Sequence, residues 1–302
     1  KKGAYKKADS GEHFDGLAAG HEEGFDGWVN TAWSHARNKQ SSVDFVGDLV
    51  TAMAGLDYPL TEGVRAGVGL GVESSGMNTH TNQGQVSGRG MTFVPYMAFD
   101  RDGWLMADLQ LGYSKLDYSM RRRDAARPDI IYMIEGDMNA HRWFGAFNLK
   151  AMHEYRNFIL GGKLGALWAE EHQNSFRETS THLVASRQVD LGRVNLGLDV
   201  DYNTSFMLRP FLGANAVWDF DQYDVKSYDT AKTLTSDLQA VTGTYINNGQ
   251  ASVKNGEFAV IYSAGFRFHH NKMFDAALKF STEQHRKHYH NDSLMLDLHS
   301  SF

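Results

Sequence analysis

From about residue 27 onward, apolar and polar positions alternate with a period of two, in segments of roughly ten residues or more separated by turn residues. Val64, Ala66, Val68, Leu70 and Val72 form one apolar face, and Arg65, Gly67, Gly69, Gly71 and Glu73 form a small or charged one. Leu105, Ala107, Leu109, Leu111 and Tyr113 repeat the pattern against Met106, Asp108, Gln110 and Gly112. Val194, Leu196, Leu198, Val200 and Tyr202 do so against Arg193, Asn195, Gly197 and Asp199. A period of two is that of a strand with two unlike faces. The pattern predicts twelve strands, at about 27–39, 43–58, 62–77, 88–99, 103–119, 138–155, 158–171, 185–202, 205–220, 256–269, 273–286 and 292–302.

Two features distinguish a closed transmembrane barrel from a soluble β-sandwich. The polar partners are Gly, Arg, Asp and Asn, which suit a narrow polar lumen, rather than the Thr, Lys, Glu and Ser of an open surface. The connections also alternate in length. Pro59 to Gly63, Asp100 to Gly103, Arg156 and Asn157, Asn203 to Ser205, and His270 to Lys272 read as short turns, whereas 77–88, 119–138, 171–184, 221–255 and 287–292 read mostly as longer polar loops. Short turns at one end and long loops at the other are the mark of a transmembrane barrel. Closure leaves no unpaired strand edge in hydrocarbon. Outward aromatics gather near strand ends, with Tyr58, Tyr155, Phe158, Tyr202, Phe268 and Phe274 toward the turns and Trp168, Trp218 and Phe220 toward the loops, as interfacial girdles do. The fold class expected is therefore all-β, a 12-stranded antiparallel transmembrane β-barrel.

Composition narrows the picture further. No run approaches the 18 to 20 apolar residues of a membrane-spanning helix. With 42% hydrophobic residues, including 18 Phe, 13 Tyr and 6 Trp, the chain is too rich in apolar groups to stay disordered. A net charge of −6 gives no basic surface, so nucleic acid is not an expected partner. The absence of Cys is compatible with an oxidising envelope. The chain starts at Lys1 without an apolar leader, which reads either as a processed product or as the C-terminal part of something longer.

The stretch from Gly27 to Phe302 resembles the C-terminal translocator barrel of classical autotransporters. The resemblance rests on GWVNTAWSHARNK at its start, GDLVTAMAGLDYPLTEGVRAGVGLGVESS and DRDGWLMADLQLGYSKLDY as hairpins, LRPFLGANAVWDF as a strand, and the terminal strand ending in Phe302. It implies an outer-membrane location in a Gram-negative bacterium, a passenger on the same polypeptide, and residues 1–26 as a pore-threading segment ahead of a barrel domain at 27–302. A monomer is expected, with no cofactor. A porin-like channel or a loop-based surface adhesin would use the same barrel physics and is the alternative reading.

In the pore segment, Ser10 is a candidate N-cap, and Phe14, Leu17, Ala18, His21 and Phe25 fall loosely on one helical face. Gly16, Gly20 and Gly24 would give such a helix a smooth stripe, yet Gly with mixed charge also makes a flexible linker. As a helix rising about 1.5 Å per residue, fewer than twenty residues would cross the roughly 25 Å hydrocarbon band. In family members that cut themselves free, cleavage follows an Asn within this segment. Residues 1–26 contain no Asn, so self-cleavage by that route is not expected.

The register assigns Arg65, Arg142, Lys150, Lys163, Arg193, Arg209, Arg267 and Lys279 to the lumen, against Glu73, Asp108, Asp199, Asp275 and Asp297. An electropositive channel follows, suited to anions or to the acids Glu12, Asp15, Glu22, Glu23 and Asp26 of the pore segment. Leu294, Leu296, Leu298 and Phe302 on the last strand look like the signal read by the barrel-assembly machinery. Arg121 to Arg123 reads as a basic loop run that could meet lipopolysaccharide phosphates, alongside outer-membrane lipid. His285, His288 and His290, with His269 and His270, lack the companions of a metal site, and none is expected. Ser34 and His35 adjoin, as do His299 and Ser300, but strand neighbours point to opposite faces and cannot form a nucleophile–base pair, so no catalytic group is expected.

Overall fold

The computed structural model describes residues 24–301, apart from 41–42, 81–82, 125–132, 205–206, 223–225, 228–256 and 272–273. Its elements are β1(Asp26–Gln40), β2(Val43–Thr61), β3(Val64–Thr79), β4(Gly84–Arg101), β5(Leu105–Arg123), β6(Met133–Tyr155), β7(Phe158–Gln173), β8(Phe176–Arg177), β9(Leu183–Val184), β10(Arg187–Tyr202), β11(Leu208–Gln222), β12(Lys226–Ser227), β13(Phe258–Asn271), β14(Phe274–Gln284) and β15(Tyr289–Ser301). Twelve long strands form the antiparallel wall. Each pairs with the long strands before and after it, the β10–β11 ladder continues the ring, and β15 closes it against β1. The ladder between β1 and β15 runs from Asp26 opposite Ser301 to Asn38 opposite Tyr289. Among the described residues no helix is long and apolar enough to cross a membrane; the crossing elements are strands.

The alternation has the polarity of a membrane barrel. Leu70, Leu111, Leu198 and Leu212 are all at least 60% exposed, whereas Asp26, Asp199, Asp201 and Arg267 are at most 4% exposed. Apolar side chains on the outside can meet hydrocarbon, and polar ones inside are hydrated or paired.

At the short-turn end the expected strand limits hold to within a few residues. The turns are tight enough to need left-handed backbone: Gly63 (φ 73), Asp102 (φ 53) and Arg156 (φ 57) adopt it. The Gly63 carbonyl accepts the Asp100 amide at 2.8 Å, tying the β2–β3 turn to the next strand.

At the other end the strands run further than the hydrophobic pattern predicts. β4 begins at Gly84, β5 continues to Arg123 and β6 begins at Met133. The reason is physical: alternation is required only where the outer face meets lipid, while the backbone ladder persists beyond it. The expected loop at 119–138 therefore shrinks. Arg121 to Arg123 belongs to β5 and not to a loop, and Arg122 is paired with Glu178 at 2.9 Å. Likewise 287–292 is largely strand, and the 171–184 connection carries the two-residue pairs β8 and β9. The expected loop at 221–255 lies mostly outside the described residues.

Tight wall packing depends on missing side chains, as two neighbouring sites show. Trp28 of β1 lies across Gly55 of β2, where any Cβ would overlap the indole ring. Tyr96 of β4 covers Gly67 of β3 in the same way. The two aromatics meet edge to face with centroids 6.0 Å apart, bridging four strands, β1 to β4, from within.

Candidate functional site

The polar interior is organised as four clusters, each joining strands that the backbone ladder leaves apart. At the short-turn end, Arg65 of β3 binds Asp26 of β1 at 2.7 Å and also Asp57 of β2. Tyr96 donates to the other Asp57 oxygen at 2.7 Å and accepts from the Trp28 indole at 2.6 Å. Arg65 also reaches the Gly24 carbonyl at 3.4 Å, just before β1, where Gly24 turns the chain with φ 101. His299 of β15 lies 3.9 Å from Asp26, so the cluster extends across the closing seam.

On the opposite wall, Asp199 of β10 gathers three cations from three strands: Lys163 at 3.2 Å, Arg267 at 3.9 Å and Lys150 at 4.0 Å. Arg267 also binds Asp201 and lies 4.5 Å over the Phe211 ring. Planar guanidinium suits both contacts. Nearer the long loops, Arg142 of β6 binds Glu171 of β7 at 2.7 Å and reaches Glu73 of β3 at 3.1 Å. That second bond passes over β4 and β5. Tyr118 donates to Glu171 at 3.1 Å. In the fourth cluster, Asp219 of β11 accepts from Arg193 at 2.6 Å and from Arg286 at 2.7 Å, and Arg286 also holds Glu283 at 2.5 Å.

The other lumen candidates lie around these clusters. Asp108 is buried and accepts from Gln110 at 2.8 Å and Asn148 at 3.0 Å. Arg209 and Lys279 are partly buried, with Arg209 opposite Arg267 in the ladder. Asp275 is partly buried opposite His299, and Asp297 accepts from Asn30 at 3.1 Å.

An excess of interior positive charge does not materialise. Asp57, Glu171, Asp201, Asp219 and Glu283, all absent from the lumen candidates, take part in these clusters. Asp26, expected among the pore-segment acids, is the first residue of β1 and pairs within the wall. Glu171, Asp201, Asp219 and Glu283 share strand parity with lumen candidates on the same strands, so extending each alternation to the strand ends reaches them, whereas Asp57 lies on β2, which offered no candidate. Their partners could not be found that way, because Glu73 and Arg142 are 69 residues apart.

Phe14, Gly16, Leu17 and Gly20, with the acids Glu12, Asp15, Glu22 and Glu23, lie outside the described residues, as does Phe302. Leu294 and Leu296 are exposed on the outer face of β15, and Leu298 is half-buried. His285 and His288 occupy a turn, His290 pairs with Asp292 at 3.1 Å, and the side chains of His269 and His270 are not described. Among the described residues no three His, Asp or Glu groups assemble as a metal cluster. What remains is an inner wall face of paired charges.

Comparison with known proteins sharpens this. Residues 27–295 match the family model described as the autotransporter beta-domain. Among solved structures, the translocator domain of autotransporter NalP from Neisseria meningitidis superposes with a TM-score of 0.73 at 14% identity, covering 93% of this chain and 90% of that one. The beta domain of the Bordetella autotransporter BrkA gives 0.68 at 13% identity, covering 93% and 100%. The transport unit of AIDA-I from Escherichia coli gives 0.64 at 11%, covering 98% and 96%. At such identities the structural likeness concerns the fold. No curated protein matches the chain.

Proposed function

The chain belongs to the autotransporter β-domain family, outer-membrane translocators of an N-terminal passenger on the same polypeptide, and on that premise we propose that the segment ahead of β1 threads the lumen. It is a Gram-negative outer-membrane protein with a closed twelve-stranded barrel. The division proposed is a pore segment over residues 1–26, ending where β1 starts, and a barrel over the rest.

The observation that carries the proposal is the grip of Arg65 on Gly24. This contact draws the chain that precedes β1 toward the polar interior at the short-turn end. A segment leaving Gly24 into the lumen would run along the paired charges described above, with Arg142 and Glu73 bracing the wall near the loops. Whether it runs as a helix or as an extended linker, its length suffices for the passage.

The translocator works as a transport unit, and a purely non-catalytic role is part of the proposal. It is supported by the alternation that separates Ser34 from His35. Outer-membrane lipid, lipopolysaccharide and the barrel-assembly machinery are the proposed partners. The outward Leu294 and Leu296 support the last of these.

The test is an epitope fused ahead of Lys1, behind a secretory signal, with antibody and protease added to intact cells. Accessibility at the surface is expected. Protection until the outer membrane is permeabilised would put that terminus in the periplasm and favour a porin-like channel or a loop-based adhesin.

A further inference from the structure

His141 of β6 and His172 of β7 are direct cross-strand partners. Their ring centroids lie 5.1 Å apart with planes inclined by 36°. Both belong to the outward register. Their neighbours Arg142 and Glu171 meet inside the barrel, while Trp143, next to His141 along the same face, is 55% exposed. Together with the exposed Trp168 of β7, Trp143 marks the upper rim of the apolar band, and the two imidazoles stand just beyond it.

This spacing is compatible with a chelate. Two imidazoles bound to one tetrahedral zinc ion, with Zn–N distances of about 2.0–2.1 Å, place their ring centroids about 5 Å apart. The paired strands hold both Cα atoms in register, so little ordering remains to be done when metal binds. The surrounding charge is mixed. Glu170 lies along the same face from His172, Asp190 lies opposite Glu170, and Lys115 lies opposite His141. Two carboxylates favour a cation and one ammonium opposes it. Asp190 accepts from Gln188 at 3.0 Å, and Glu170, two residues from His172 on the same strand face, is the candidate third ligand after a side-chain rotation.

Two further outward histidines pair with carboxylates. His35 is held between Asp48 at 2.9 Å and Arg37 at 3.0 Å, and His290 between Asp292 at 3.1 Å and Gln284 at 3.2 Å. We infer that His141 and His172 form a two-nitrogen site for a borderline divalent ion, Zn²⁺ or Ni²⁺, with Glu170 or water completing the coordination. The site is empty of a ready third protein ligand and is completed on binding. The ion would staple β6 to β7 where the segment bearing β8 and β9 departs. Imidazole binds metal through a neutral ring nitrogen.

The test uses the folded barrel in detergent and Zn²⁺ alone, followed by calorimetric titration. Because the chain has 14 His, the readout is a difference between variants. The wild type should bind one zinc equivalent at least ten-fold more tightly than either H141N or H172N, and the double variant should lose no more than each single one. H153N, at the opposite end of β6, should retain that equivalent. Cu²⁺ quenching of Trp143, read as the difference from W143F, should vanish in H141Q. Identical zinc isotherms for wild type, H141N and H172N would overturn the site, as would quenching unchanged in H141Q.

Discussion

Arg142 carries more of the interior than any single strand position would imply, because one guanidinium satisfies carboxylates from β3 and β7. Replacing it with Ala leaves Glu73 and Glu171 facing each other without a counter-charge. Hydrogen bonds to charged groups contribute about 1.5–3 kcal/mol each, and partial hydration of the lumen lowers this. Arg142→Ala is therefore expected to cost about 2 kcal/mol in urea unfolding from detergent micelles, with Glu73→Gln recovering part of the loss. Equal stability of the single and double variants would argue against direct coupling. Two wall glycines, Gly55 facing the interior and Gly162 in the outward register between Leu160 and Leu164, give a sharper contrast. A side chain at Gly55 must displace Trp28, whereas at Gly162 no atom lies within 4 Å of the new Cβ. Gly55→Ala should destabilise the barrel by about 1–3 kcal/mol, and Gly162→Ala should stay within about 0.5 kcal/mol, in the same unfolding assay.

At the level of the strand, the sequence was most readable where lipid imposes a rule. Leu105 to Tyr113 and Val194 to Tyr202 alternate because each second side chain must face hydrocarbon, and β5 and β10 formed where that alternation is strongest. Past the membrane the rule lapses but the hydrogen bonds do not, so the far ends of β4, β5 and β6 lay beyond reach of the pattern. Parity told which charges share a face. It could not tell that Arg65 would meet Asp57 and Gly24, since tilt and curvature decide contacts between strands that are not neighbours. On the outer face the lipid rule predicts a large penalty. Leu296→Arg, in the middle of β15, is expected to cost about 2–4 kcal/mol in reversible unfolding from bilayers, while Asp297→Asn next to it on the inner face should cost far less. Similar penalties at the two positions would contradict the assigned orientation of β15.

For the molecule as a whole, stability comes from a ring of ladders, with charge clusters bracing it from inside and apolar side chains meeting lipid outside. The seam differs from the other ladders in sequence separation alone: β15 returns to β1 after the whole chain has passed. Its interior contacts, Asn30 with Asp297 and His299 with Asp26, are polar like those elsewhere. Geometrically, then, the ring has no privileged starting point. A circular permutant cut at the Asp102–Gly103 turn and spliced across the present ends would trace the same wall with its seam between β4 and β5. For the natural order the cost is borne in time. Until the last strand is in place, the nascent ribbon has two bare rims, each a template for any passing strand, and it needs an escort for that whole interval.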